Sequence, residues 1–260
     1  MSSCNNVNTT GSTTPSSAEI DFYLAVAKGD FTGYSNVSKF GRNPSVKSAD
    51  YETIWDGSNL YPWPTAAETL NVVSDDADDT SAGTGARTVE IQGLDSSWNV
   101  LIETVTMNGL TPVVTTGLFL RVYRARVVTA GSSGTNEGTI TFTNTTSSNV
   151  IAQISVDNSG FGQTLMACYT VPAGKTAYLI NFDFSSAKDN EHRFRLMVRD
   201  NTVTDAAWNV KEFSTARGGF NDFKKFAIQK YTEKSDLDLQ GIASAASAVS
   251  GGFELILIDN

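Results

Sequence analysis

The stretch GQTLMACYTVPAGKTAYLINFDF, residues 162–184, carries the strongest fold signal in this chain. Two apolar runs flank a Val-Pro-Ala-Gly segment at residues 171–174, in which proline presets φ and glycine can adopt positive φ. The alternation in TAYLINFDF predicts a strand with one face inward. The predicted inward residues are Tyr178, Ile180, Phe182 and Phe184. We therefore expect two core strands joined by a tight turn.

The same stretch contains Gly174-Lys175-Thr176, the last three residues of a phosphate-binding loop. Such a loop requires another glycine five residues before Gly174, and Tyr169 occupies that position. It also requires a helix after the threonine, whereas the following residues alternate as in a strand. The tripeptide therefore indicates a turn, and we predict no nucleotide and no other cofactor.

Short strands are predicted from residue 69 to the end of the chain. Runs rich in Val, Ile, Thr and aromatic residues are separated by Gly, Asn, Asp and Ser. In HRFRLMVRD, residues 192–200, the apolar positions Phe194, Leu196 and Val198 predict a buried face. We interpret the small-residue run IASAASAVSGG, residues 242–252, as strand and turn. With no amphipathic helix between the runs, the pattern indicates an all-β fold, an antiparallel β-sandwich or barrel.

The first 68 residues differ in composition from this region. Residues 1–17, MSSCNNVNTTGSTTPSS, contain no charge and are interpreted as a polar tail that cannot fold alone. Residues 18–68 are rich in aromatics, glycine and proline but have no sustained period, which predicts an extended, irregular N-terminal arm. The predicted domains are therefore tail 1–17, arm 18–68 and β-sandwich 69–260.

Aromatic residues of the arm are the candidate partner-contact residues. They are Tyr34, Phe40, Tyr51, Trp55, Tyr61 and Trp63. Trp and Tyr concentrate where a protein buries surface against a partner. The alternative, that these rings pack onto the chain's own core, is equally open from the sequence.

No constellation in the sequence predicts catalysis or a metal site. Nucleophilic triads and most zinc sites rely on histidine, and the single histidine, His192, is predicted at a surface or strand-edge position. The acidic run 75–79 lacks the spacing of a calcium loop and is interpreted as a solvated loop. Strand-face arginines are interpreted as solvated, with contact to an acidic partner as the alternative. They include Arg121, Arg124 and Arg126. We predict a protein without enzymatic activity.

Charge and cysteine content narrow the classes of partner. The 260-residue chain has a formal net charge of −9 and a pI near 4.6. Because an acidic surface repels phosphate backbones, no nucleic-acid partner is expected. No apolar run approaches the roughly 20 residues of a membrane span, so no membrane partner is expected. Cys4 and Cys168 cannot build a disulfide framework, and Cys168 is interpreted as a small buried hydrophobe.

Several segments resemble virion structural proteins of tailed bacteriophages, those of marine phages in particular. The segments are TLMACYTVPAGKTAYL (164–179), KFGRNPSV (39–46), YETIWDG (51–57), YPWPTAA (61–67), RTVEIQGLDSSWNVLIETVTMNG (87–109), FLRVYRARV (119–127) and YTEKSDLDLQGIASA (231–245). The resemblance spans residues 36–258. It implies a jelly-roll-like β-sandwich assembled on a phage particle, and it brings no catalytic residues.

The resemblance also implies a location in the virion, after synthesis in the cytoplasm of the bacterial host. The resemblance does not give the position in the particle, and our leading hypothesis is a capsid decoration or minor capsid protein on the head surface or vertices. Such a protein would bind the major capsid protein or other virion proteins through its N-terminal arm, as a homo-oligomer such as a trimer. A tail or neck adaptor or fibre component that contacts the host is the alternative. A carbohydrate-binding or glycan-cleaving module is a third hypothesis.

Overall fold

A computed structural model of the chain describes residues 18–47, 49–57 and 59–260. Helix α1 (Ala18–Lys28) precedes the strands. The first eight strands are β1 (Tyr34–Val46), β2 (Glu52–Thr53), β3 (Leu70–Ser74), β4 (Ala86–Leu94), β5 (Val100–Thr106), β6 (Val113–Val114), β7 (Arg121–Ala130) and β8 (Ile140–Asn144). The remaining strands are β9 (Val150–Ile154), β10 (Val156–Asp157), β11 (Ser159–Gly160), β12 (Cys168–Thr170), β13 (Lys175–Asp200), β14 (Asn209–Tyr231), β15 (Ser235–Ala243) and β16 (Ser247–Asp259). The predicted all-β, antiparallel, sandwich-like fold is confirmed.

Strands β13 and β14 form one long hairpin that bends near its middle. Their register shifts between Ser186 and Glu191, and across from this bulge Gly218 and Gly219 adopt φ values of 59° and 77°. Before the bulge β13 pairs with β16, and after it β13 pairs with β15. Because a bulge lets one strand pass from one sheet layer to another, the hairpin contributes to both layers of a sandwich.

The two layers enclose a first core, which is built largely from β13, β15 and β16. Phe184 lies before the bend and Phe194 after it, and their rings stack with centroids 4.0 Å apart. Leu196 and Val198 are also buried, whereas Arg193 is exposed. The predicted buried face of HRFRLMVRD is therefore confirmed.

A second bulge corrects the predicted inward face of TAYLINFDF. The register of β13 against both β14 and β16 shifts between Leu179 and Asn181. Because side chains alternate with a period of two, this extra residue exchanges the faces of the strand. The residues in the first core are Ala177, Leu179, Phe182 and Phe184. Tyr178 and Ile180 lie instead on the half-exposed outer face, so the prediction for these two was wrong.

A second core lies between a sheet of order β6-β3-β8-β9 and a sheet of order β5-β4-β7. It includes Val72 and Phe142 from one sheet and Ile91 and Val122 from the other. Strand β15 lies between the two cores and is buried along its whole length. Its Leu residues enter the first core, and its Asp residues face the side of the second core.

Residues 18–68 are not a separate irregular arm, which corrects the predicted domain boundary. Strand β1 pairs with β16 along most of its length, and β2 pairs with β15. Val46 and Ile54 belong to the first core. The buried residues of this segment come from two strands and from loops, which have no common repeat. Their spacing in the sequence therefore shows no period. The predicted polar tail 1–17 lies outside the described residues.

The predicted turn at residues 171–174 is confirmed. Strand β12 ends at Thr170, β13 begins at Lys175, and Gly174 adopts a φ of 73°. The two strands do not pair with each other, since β12 pairs with β15 and the start of β13 pairs with β16. The predicted strand and turn at 242–252 are confirmed by the end of β15 and the start of β16.

Candidate interaction surface

Three of the candidate partner-contact residues are buried in the chain's own second core. Trp55, Tyr61 and Trp63 are 3%, 2% and 9% exposed. The Trp55 and Tyr61 rings lie 5.5 Å apart, and the Tyr61 and Trp63 rings lie 4.8 Å apart. The Tyr61 hydroxyl donates to the carbonyl oxygen of Val122 at 3.2 Å. These three residues follow the core alternative, so their prediction as partner contacts is corrected.

The other three candidates remain at the surface, partly covered by their own chain. Phe40 is 40% exposed, and the guanidinium of Arg124 lies 5.9 Å from the centre of its ring. Tyr51 is half-buried beneath Arg195, whose guanidinium lies 3.7 Å from the ring centre. Tyr34 is half-buried beside the rings of α1 and the following turn. A partner that bound these rings would contact side chains that already pack against residues of their own chain.

A buried ionic cluster joins the two cores. The carboxylate of Asp236 is buried and accepts two hydrogen bonds from Arg121, both at 3.1 Å. It accepts a further bond from Arg199 at 2.7 Å and one from the Thr170 hydroxyl at 2.6 Å. Charged hydrogen bonds of this kind are strong when the group is fully enclosed. Arg121 is only 3% exposed, so its interpretation as a solvated strand-face residue was wrong.

Asp238, two residues along β15, faces the same junction. Its Oδ2 accepts from the Trp63 indole at 3.4 Å and from the Gln240 side-chain amide at 2.7 Å. Burial raises the pKa of Asp238 to about 6, because the charged form loses its hydration. The junction therefore combines one strongly paired carboxylate with one that is weakly compensated. All of these contacts lie between protein groups, and they connect β7, β13 and β15 as a structural joint.

Lys39 is a buried lysine that was not among the residues predicted from the sequence. It is 4% exposed, and its Nζ donates to the carbonyl oxygen of Tyr123, between β1 and β7. Burial lowers its pKa to about 7, since no carboxylate of the described residues is hydrogen-bonded to it. A cavity of about 290 Å³ lies beside it. An amine that is half neutral near pH 7 can act as a base or nucleophile, but this one is covered and bonded to a carbonyl. No sequence pattern around Lys39 distinguishes it from an exposed strand lysine.

His192 lies inside the fold and not at a surface or edge. It is fully buried in β13, which pairs with β14 on one side and β15 on the other. Its Nδ1 lies 2.8 Å from the carbonyl oxygen of Asn190. The predicted edge position was therefore wrong, because β13 extends past the bulge as a central strand.

In the acidic run 75–79, Asp75 and Asp78 are exposed as predicted for a solvated loop, but Asp79 is buried, which corrects the interpretation for that residue. The Asp79 carboxylate is buried and accepts from the Ser74 hydroxyl at 2.6 Å, the Ala86 amide at 2.6 Å and the Gly138 amide at 3.0 Å. Within the described ranges, no group of three or more His, Cys, Asp or Glu side chains could hold a metal ion. The part of the chain that the structure describes also has no helix long and apolar enough to cross a membrane.

Lys175 and Cys168 take structural roles. The Lys175 ammonium pairs with the Asp259 carboxylate at the end of β16. Cys168 is 1% exposed, and burial raises the pKa of its thiol far above the usual range, so the interpretation as a small buried hydrophobe is confirmed. Neither residue is poised for chemistry.

Strand β14 presents a long free edge. It pairs with β13 on one side and with no other strand of the described chain on the opposite side. Its exposed apolar side chains are Val210 (49%), Phe213 (57%), Phe220 (69%), Phe223 (37%) and Ile228 (55%). An unpaired edge offers backbone N–H and C=O groups to another chain, and proteins usually keep such edges short or covered. The 23-residue length of β14 makes it the most prominent candidate interaction surface.

The charge of β14 differs in sign from that of the rest of the chain. The strand contains five Lys or Arg and two Asp or Glu, a net charge of +3. Since the whole chain carries −9, the remainder carries −12. In the sequence, the glycine pair at 218–219 separates two runs, WNVKEFST (208–215) and FKKFAIQKYTE (223–233), so the local pattern alone does not predict one continuous strand. The single long strand becomes visible only in the fold, where β13 pairs with most of β14 and the register shifts at Lys211, at Gly218 and at residues 225–228.

Next to this edge, the outer face of the first layer is only partly covered by α1. Tyr178, Ile180 and Ile256 line an apolar cavity of about 130 Å³ together with Phe22 of α1 and Ile228 of β14. Phe22 is 36% exposed. The free edge of β14 therefore continues into a partly exposed apolar face.

Comparison with known proteins leaves this chain without an assigned family. No protein-family model matches it, and no curated protein matches it. A crystal structure of a Bacillus thuringiensis Cry1Da tryptic core variant aligns at 11% identity and a TM-score of 0.19, over 80% of this chain and 52% of that one. A structure of infectious bursal disease virus Gt strain aligns at 10% identity and a TM-score of 0.18, over 87% and 73% of the two chains. This chain thus spans about half the length of the Cry1Da chain.

Proposed function

We propose that this protein is a non-enzymatic structural component of a bacteriophage virion. Its role would be that of a capsid decoration or minor capsid protein that binds neighbouring subunits on the head. The observation that carries the proposal is the free edge of β14, with its 23 residues and its row of exposed apolar side chains. A surface of this kind suits a protein that is permanently attached to an assembly, where another chain covers the edge.

The internal contacts support a passive, rigid role. The side chains most suited to chemistry are buried and engaged: His192 in β13, Cys168 in the second core, and Asp236 between two arginines. The first and second cores are linked by the Asp236 cluster and not by an open cleft. Such a unit can transmit load between neighbours without moving a substrate or a lid.

We propose attachment through the folded unit and not through an N-terminal arm. Residues 34–68 supply Val46 and Ile54 to the first core and Trp55, Tyr61 and Trp63 to the second. A deletion of this segment would therefore disrupt folding and would not be a test of attachment. Trp55 and Trp63 are buried as well, which removes the side chains that most favoured a carbohydrate-binding module. The surface of β14 replaces the arm as the proposed attachment site.

Copy number in purified phage particles tests the proposal. Quantitative mass spectrometry of gradient-purified virions should find the protein in tens to hundreds of copies, in a fixed ratio to the major capsid protein. A tail or neck component would be present in few copies, which would favour that alternative and overturn the decoration role. Absence from washed particles would overturn the virion role altogether.

A further inference from the structure

We infer that β14 of one copy pairs with β5 of a neighbouring copy of the same chain, head to tail. This inference rests on the proposed structural role and names the partner of the β14 edge. Strand β5 (Val100–Thr106) is the outer strand of the β5-β4-β7 sheet, and its second edge has no strand partner among the described residues. The free edges of β14 and β5 therefore belong to different sheets of the same copy.

Charge argues against β14 pairing with β14 of another copy. Such a contact would place two strands of net charge +3 side by side. Like charges facing each other across a strand pair are destabilising. The region that contains β5 has the opposite sign: residues 64–163 contain four Arg and no Lys against ten Asp or Glu, a net charge of −6. The basic edge is thus complementary to the acidic region and not to itself.

The side-chain pattern selects the first half of β14. Along residues 211–217 exposed and half-buried positions alternate, with Lys211, Phe213 and Arg217 on the exposed face. On β5 the exposed positions alternate in the same way, and they include Val100 and Ile102, at 49% and 56% exposure. Joining the two edges continues both patterns and brings apolar side chains together on one face.

An antiparallel register with Phe213 opposite Ile102 makes the most of these contacts. It places Thr215 opposite Val100 and Lys211 opposite Thr104. Thr104 in turn pairs with Glu90 of β4, so the lysine lies one strand away from a carboxylate. Aromatic–β-branched pairs and opposite charges are among the cross-strand contacts that stabilise neighbouring strands.

Because the two edges differ, the contact is heterologous. Each copy uses β14 toward one neighbour and β5 toward the other, so the result is a closed ring if the rotation between copies closes and a filament if it does not. The interface repeats without a special terminal subunit. This arrangement fits a component of a symmetric particle.

Directed disulfide cross-linking of the purified full-length chain tests the pairing. One variant carries Phe213→Cys and the other Ile102→Cys, both with Cys4→Ser, while Cys168 remains because it is buried. Under mild oxidation the mixture of the two should form a covalent dimer, and neither variant alone should do so. A dimer formed by the Phe213→Cys variant alone would show β14 pairing with itself and overturn the inference.

Sedimentation velocity supplies the second measurement. The wild-type chain should sediment as a multiple of 27.9 kDa, and Phe213→Lys should shift it to the monomer with an unchanged circular dichroism spectrum. Val203→Lys is the matched control, since Val203 is 57% exposed in the loop before β14 and should leave association unchanged. A wild-type monomer at all accessible concentrations, together with no mixed cross-link, would overturn the pairing. The virion role would then still stand or fall on copy number.

Discussion

Phe184 and Phe194 belong to the same strand, yet their rings stack face to face with centroids 4.0 Å apart. A straight strand would place residues ten positions apart more than 30 Å from each other. The bulge between Ser186 and Glu191 folds β13 back on itself and makes the contact possible. The contact between these two rings therefore exists only if the two layers that enclose the first core pack against each other.

Replacing Phe194 with alanine should weaken the packing between the two layers. We expect Phe194→Ala to lower the free energy of unfolding by about 3–5 kcal/mol, because it leaves a cavity against Phe184 in a fully buried site. Phe220→Ala is the control, since Phe220 is 69% exposed, and it should change the free energy by less than about 0.5 kcal/mol. Urea denaturation measures both. Equal losses in the two variants would contradict the closed sandwich.

The Asp236 cluster should be essential for joining the two cores. Asp236→Asn leaves Arg121 buried without its counter-charge, so we expect a loss of about 3–5 kcal/mol in unfolding free energy. The control is Glu90→Gln, which breaks the pair between Glu90 and the half-exposed Arg126 and should cost less than about 1 kcal/mol. Thermal and urea unfolding provide the measurement. A cost for Asp236→Asn no larger than that of the control would show that the cluster does not hold the cores together.

Lys39 should make stability rise with pH above neutrality. Its pKa is about 7 in the folded protein against 10.5 in the unfolded chain, so the unfolded chain binds more protons between these values. The free energy of unfolding should therefore increase from pH 7 to pH 10.5, by up to about 5 kcal/mol. Lys39→Met keeps the volume and removes the charge, so it should flatten this rise and be more stable than wild type at pH 6. A Lys39→Met profile parallel to wild type would contradict a buried, uncompensated lysine.

Asp238 should produce the opposite slope in acid. Its pKa is raised to about 6 in the folded protein from 3.8, so the folded protein binds more protons between these values. The contribution of Asp238 to stability should therefore fall as pH rises from 4 to 6, by up to about 3 kcal/mol. Asp238→Asn mimics the protonated form, can still accept the Trp63 hydrogen bond and should remove this fall. If unfolding of the variant and of wild type follow the same pH dependence, the carboxyl is not buried as described.

Local sequence patterns correctly predicted conformation and burial where these depend on residues that are near neighbours in sequence. The turn at residues 171–174, the buried face of Phe194 and the burial of Cys168 all follow from periodicity, turn chemistry and apolar context. These effects act within a few residues, so the sequence carries them directly. The all-β class followed from the same patterns repeated along the chain.

Burial that depends on distant partners could not be predicted in this way. Arg121 and Asp236 are 115 residues apart in sequence, and their pairing exists only because β7 packs over β15. The sequence context of Arg121 is that of an ordinary strand arginine. Lys39 and Trp55 are comparable cases, since each is enclosed by strands from a distant part of the chain.

For the candidate interaction surface, too, some features follow from local sequence pattern and others only from tertiary structure. Amino-acid order alone established an antiparallel β protein, its turns, and the absence of a recognisable catalytic motif, because strand period and turn preference are local properties. Tertiary structure alone decided that β13 bends into two layers, that the aromatic residues of 18–68 divide between core and surface, and that β14 is left with a free edge. The physical reason is that pairing and burial depend on which strands become neighbours, and that is set by packing between segments far apart in the chain.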